Sequence, residues 1–126
     1  MVPVRVMIVE DNLYMLLSLE ALLNRMPKLS VVATARNGAE ALLLIQEVEP
    51  QLMILDINMP KMNGLALLDE LRKMNSLVQV IVFSAYADVI LQQDAIERGA
   101  TAFVSKGNVP HFLETLQRVI DNLASI

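Results

Sequence analysis

Five times along the chain a short apolar run rich in β-branched residues gives way to a longer amphipathic stretch, and this alternation constrains the fold most. The first run, VRVMIV (Val4–Val9), is nearly continuous in apolar residues, as a strand covered on both faces must be. Residues 12–26 read as a helix that stops ahead of Pro27, because the residue before a proline disfavours the helical region. LSVVATA (Leu29–Ala35) is a second strand closed by Asn37 and Gly38, residues 39–48 form a helix ended before Pro50, and LMIL (Leu52–Leu55) is a third strand. Residues 65–74 carry Leu68 and Leu71 at helical spacing. Residues 78–83 make the fourth strand, residues 88–99 a helix ended by Gly99, and residues 101–105 a short fifth strand. In the last helix Val109, Phe112, Leu113, Leu116, Val119, Ile120 and Leu123 form one stripe, with Glu114, Gln117, Arg118 and Asp121 facing away. Five β-then-α units predict an α/β fold, a parallel sheet with helices on both faces. With 126 residues and no linker or low-complexity tract, the expectation is one domain over residues 1–126, with no effector domain in this chain.

Composition excludes several functions. Hydrophobic residues make up 55% of the chain, yet no apolar run approaches the roughly 18 residues of a spanning helix. Glu10 and Asp11 interrupt the N-terminal apolar run too early for a signal peptide, so the expectation is a cytoplasmic protein with no membrane association. The absence of cysteine excludes disulfides and thiolate metal sites. A net charge of −4 argues against nucleic-acid binding through this domain.

In an open parallel sheet, sites form beyond the carboxyl ends of the strands, where strand order reverses. The polar residues fall there: Glu10 and Asp11 after the first strand, Asp56 after the third, Ser84 after the fourth, Ser105 and Lys106 at the fifth. In a flavodoxin-like order, 2-1-3-4-5, these strand ends are neighbours. Crowded carboxylates repel and raise one another's pKa, and one lysine does not balance three of them. A divalent cation does, and an all-oxygen donor set selects a hard one: Mg²⁺ first, with Mn²⁺ or Ca²⁺ as alternatives. A carboxylate also serves as nucleophile toward a phosphoryl group, a transfer governed by positioning and charge neutralisation. The expected chemistry is phosphoryl transfer to Asp56. Glu10, Asp11 and Asp56 would hold the cation, and the Ser84 hydroxyl and the Lys106 amine would meet the phosphoryl oxygens.

At these residues the motifs IVEDN, LDINMPKMNG, VFSA and FVSKG, in this order, resemble the CheY-like receiver domain of bacterial two-component response regulators. The resemblance covers essentially the whole chain and implies a flavodoxin-like (βα)₅ fold. It implies Mg²⁺-dependent uptake of a phosphoryl group from a sensor histidine kinase, a histidine phosphotransfer protein or a small donor such as acetyl phosphate. The domain would then catalyse its own phosphorylation and dephosphorylation. Carried over by position, Glu10 and Asp11 match the metal-binding pair, although aspartate is more usual first. Asp56 matches the acceptor, and Asn58 the position whose backbone carbonyl ligates the metal. Ser84 and Phe103 match the switch hydroxyl and switch aromatic, and Lys106 the phosphoryl-contacting lysine. Gly107 stands where the family usually has proline, and the next proline is Pro110. The C-terminal segment is similar to receivers fused to helix-turn-helix transcription factors. The resemblance further implies kinase docking on Leu13, Tyr14, Leu17 and Val109, with homodimerisation through the first, fourth or last helix as the competing use.

Each residue also has a plainer reading. Glu10 and Asp11 suit a helix N-terminus, Asn58 suits an Asx-turn before Pro60, and Phe103 suits the core. Tyr86 would hang over the pocket mouth or lie exposed, while Arg36, Arg98 and His111 read as surface residues. Three competing functions are a stand-alone phosphorelay or adaptor receiver, a receiver-like module that takes no phosphate, and a haloacid-dehalogenase-type phosphatase. The last needs a second aspartate two residues after the nucleophile, where Asn58 stands.

Overall fold

The computed structural model describes residues 2–59, 62–86 and 88–124; Pro60, Lys61 and Ile126, named above or lying within the motifs, are outside the described residues. Its elements alternate as β1 (Val4–Val9), α1 (Leu13–Leu23), β2 (Leu29–Ala35), α2 (Gly38–Val48), β3 (Leu52–Leu55), α3 (Gly64–Lys73), β4 (Gln79–Ser84), α4 (Val89–Glu97), β5 (Ala102–Ser105) and α5 (Val109–Ala124). The strands form one sheet of order β2-β1-β3-β4-β5, and every neighbouring pair is parallel. This is the flavodoxin-like architecture expected from the β-then-α rhythm.

Successive side chains of a strand point to opposite faces, so each strand feeds two cores. Met7, Val9, Met53, Leu55 and Val82 pack against Ala41 and Ile45 of α2, Leu67, Leu68 and Leu71 of α3, and Ala95 of α4. Val6, Ile8, Ile54, Ile81 and Val104 pack against Leu16, Leu19 and Leu23 of α1 and Phe112, Leu116, Val119 and Ile120 of α5. The Phe83 and Phe112 rings stack across the second core with centroids 4.3 Å apart.

Three details differ from the sequence reading. The first helix ends at Leu23 with Asn24 as its C-cap, three residues before Met26, where it was expected to end. Its buried row is Leu16, Leu19 and Leu23, while Leu13, Tyr14 and Leu17 are exposed. In α5 the buried stripe includes Thr115 and leaves Val109 and Leu113 exposed. The fourth strand runs one residue later than expected, which places Ser84 inside the ladder opposite Ser105. No helix among the described residues is long and apolar enough to cross a membrane.

Candidate functional site

The acid pair is delivered by β1 and spared from helix capping. Glu10 extends the sheet by one bond, its N–H donating to the Ala35 carbonyl at 2.9 Å. The N-cap of α1 is Asn12, whose side chain accepts from the Met15 N–H at 3.0 Å. Glu10 is 1% exposed, and one of its carboxylate oxygens accepts from the Asn12 N–H at 3.2 Å. Just beyond β3 the Asp56 N–H donates to the Val9 carbonyl at 3.0 Å, which locks the Asp56 backbone to the end of β1. The loop beyond closes tightly: the Gly64 N–H donates to the Ile57 carbonyl at 2.8 Å. A Cβ on Gly64 would lie 2.6 Å from the Ile57 Cα and 2.9 Å from the Asp56 carbonyl oxygen, so a side chain there would push the loop off its path.

Glu10, Asp11 and Asp56 each offer a carboxylate oxygen within 4.8 Å of the others. Lys106 reaches over the rim from β5, its ammonium 2.7 Å from Glu10 Oε1 and 3.7 Å from Asp56 Oδ2. Its backbone is fixed by an N–H to the Ser84 carbonyl at 2.8 Å. The turn carrying Gly107 is closed by the Ser105 hydroxyl, which accepts from the Gly107 N–H at 3.2 Å. Burial, followed by the Glu10 carboxyl beside it, pushes the Asp56 pKa up from 3.8 to about 7, against the opposing pull of Lys106 and the Asn58 N–H.

Glu10, Asp11, Asp56 and Lys106 are therefore brought together. Asn58 is exposed, with its N–H donating to Asp56 Oδ1 at 3.3 Å. Ser84 is buried at the neighbouring strand end, where its hydroxyl accepts from the Tyr86 N–H at 3.1 Å and touches none of the acids. Phe103 is 8% exposed and belongs to the core under α2, α3 and α4. Arg36 is exposed, in keeping with its reading as a surface residue, and donates to the Asp11 carbonyl from Nη2 at 2.7 Å and from Nε at 3.3 Å. Its position just after β2 was the one available signal.

The cluster suits a small hard cation. Its donors are oxygens, and its three carboxylates face a single ammonium. One groove among the described residues lies by Leu77, Gln79 and Leu123, beside the starts of the strands and away from the acids.

Residues 6–117 match the family described as the response regulator receiver domain. The nitrate/nitrite response regulator protein NarL of Escherichia coli strain K12 is 32% identical over 114 residues, covering 88% of this chain and 51% of NarL. A protein-glutamate methylesterase/protein-glutamine glutaminase of Halalkalibacterium halodurans is 36% identical over 121 residues, covering 95% of this chain and 35% of the relative. The chain thus spans about half or less of these relatives' length. The crystal structure of a DNA-binding response regulator of the LuxR family from Staphylococcus aureus matches with a TM-score of 0.85 at 29% identity, covering 93% of this chain and 98% of that one.

Proposed function

Since this chain belongs to the response regulator receiver family, we propose that it is a phosphorylation switch whose acceptor is Asp56. The observation that carries this reading is the convergence of Asp56 with Glu10, Asp11 and Lys106 from three different strand ends. Receiver domains bind Mg²⁺ at an acidic pocket and exchange phosphoryl groups with histidine kinases or phosphotransfer proteins. In this chain Glu10, Asp11 and Asp56 would hold the ion, with the Asn58 backbone carbonyl as a further oxygen. When bound, the ion supplies positive charge that favours the ionised Asp56 and the phosphoryl oxygens together.

An Asp56 carboxylate oxygen attacks phosphorus as the bond to the donor breaks, leaving an imidazole or an acetate with the bonding pair. Lys106 exchanges its contact with Glu10 for a phosphoryl oxygen. Ser84 gives up the Tyr86 N–H and turns its hydroxyl to another. That exchange draws on the loop entering α4, a helix whose buried contribution is Ala95 alone. Phe103 shifts with β5 as the switch aromatic. Reversing a 99:1 preference takes about 5.5 kcal/mol of differential stabilisation, and charge-assisted bonds contribute roughly 1.5–3 kcal/mol each, so two or three suffice.

The output we assign is transcription, through an effector outside residues 1–126, on the support of the LuxR-family likeness. Phosphorylation would change the α4–β5–α5 face that meets the effector or a second copy of the chain. Intact-mass measurement after incubation with acetyl phosphate and Mg²⁺ tests the core of the proposal. One phosphoryl group is gained by the wild type, none by Asp56→Asn. No gain in the wild type would favour the non-phosphorylated module, and sustained turnover of unrelated phosphate esters would favour a phosphatase.

A further inference from the structure

The end of β2 contributes no acid, yet it grips both members of the acid pair. The Ala35 carbonyl accepts the Glu10 N–H at 2.9 Å, and the next residue, Arg36, holds the Asp11 carbonyl with two guanidinium N–H groups at 2.7 and 3.3 Å. The turn that follows meets the acceptor loop. The Gly38 N–H donates to the Met62 carbonyl at 3.1 Å, and a Cβ on Gly38 would sit 2.7 Å from that oxygen. Residues 35–38 thus connect the acid-bearing loop to the loop beyond Asp56.

An arginine beside three carboxylates would ordinarily serve as their counter-charge. Arg36 forms no ion pair among the described residues, and both of its bonds go to one backbone oxygen. Glu10 is held by Lys106 and the Asn12 N–H, and Asp56 by the Asn58 N–H and Lys106. The Asp11 carboxylate has no side-chain or backbone partner among the described residues, so its own backbone sets where it points. Arg36 fixes that backbone.

We propose that Arg36 is a positioning residue for cation binding, clamping the Asp11 peptide so that the Asp11 carboxylate faces Glu10 and Asp56. The inference rests on the reading of this cluster as the cation site of the switch. Two effects of the side chain oppose each other. The clamp strengthens cation binding by holding a ligand in place, whereas the guanidinium charge by itself weakens it. The sign of the change on substitution separates them.

The test is Mn²⁺ titration of the full chain, with free Mn²⁺ read by electron paramagnetic resonance at fixed ionic strength. Arg36→Ala is expected to weaken binding about 10-fold, the range for residues that orient metal ligands. Arg36→Gln, a neutral side chain that keeps an N–H donor, recovers most of the loss. If Arg36→Ala fails to fold by circular dichroism, Arg36→Lys takes its place; it keeps the charge, loses the fork and is expected to bind weakly as well. Binding by Arg36→Ala (or by Arg36→Lys in its place) as tight as wild type, or tighter, overturns the clamp, as does a wild type that binds no Mn²⁺. A wild type that takes a phosphoryl group while Arg36→Ala binds Mn²⁺ normally retires the clamp alone. Arg36-dependent Mn²⁺ binding in a protein that takes no phosphoryl group supports the clamp and retires the phosphoryl-acceptor reading instead.

Discussion

Asp56 combines burial with a negative neighbour, and both act on its ionised form. Its folded pKa of about 7 lies above the ordinary 3.8, so the cation-free fold binds a proton more tightly than the unfolded chain does. The stability tied to this group is therefore fully present below pH 4 and is lost as pH rises toward 7. In chelator, Asp56→Asn is expected to raise unfolding free energy at neutral pH by roughly 1–4 kcal/mol. The gain should shrink as pH falls toward 4; urea titrations at pH 5 and pH 7.5 read this directly, and equal gains at both would contradict it. Glu10, Asp11, Asp56 and Lys106 were legible in the sequence because strand ends are legible, and a parallel sheet places those ends side by side. Arg36 was not, because its partner is a backbone oxygen and no residue type marks one. Nor did the sequence tell that the Ser84 hydroxyl engages the Tyr86 N–H, since a rotamer is chosen by local packing.

At the scale of elements, asparagines do much of the punctuation. Asn12, Asn37 and Asn63 cap α1, α2 and α3 through their side chains, and the Asn108 side chain accepts the His111 N–H at the start of α5. Capping by asparagine leaves the neighbouring acids available at the rim. The ends of α2 and α4 were readable from Pro50 and Gly99, whereas α1 stops at Leu23, short of the end that Pro27 suggested. The buried face of α1 was not readable, because leucine surrounds that helix and its periodicity points nowhere in particular. α5 is the opposite case, with a clear stripe centred on Phe112, which is 1% exposed and stacked on Phe83. Phe112→Ala removes that ring from the core between the sheet and α5. It should destabilise the domain by about 3–5 kcal/mol in urea unfolding, and a loss below about 1 kcal/mol would mean the core closes over the gap.

For the whole molecule, cation binding and folding are linked, because the ligands come together only in the folded sheet. A ligand that binds the native state alone adds about 2.7 kcal/mol at a hundred times its dissociation constant. Mg²⁺ is accordingly expected to raise the melting temperature in a concentration-dependent way, and Asp11→Asn to flatten that dependence. Equal slopes for the two proteins in a thermal-shift series would remove Asp11 from the cation site. The Lys106–Glu10 ion pair spans 96 residues of sequence, about three quarters of the 126-residue chain. A nascent polypeptide emerging from the ribosome therefore displays its acids long before its lysine. On the proposed reading the site is complete only once Lys106 has followed the final strand, so a copy cut short before it is expected to switch poorly.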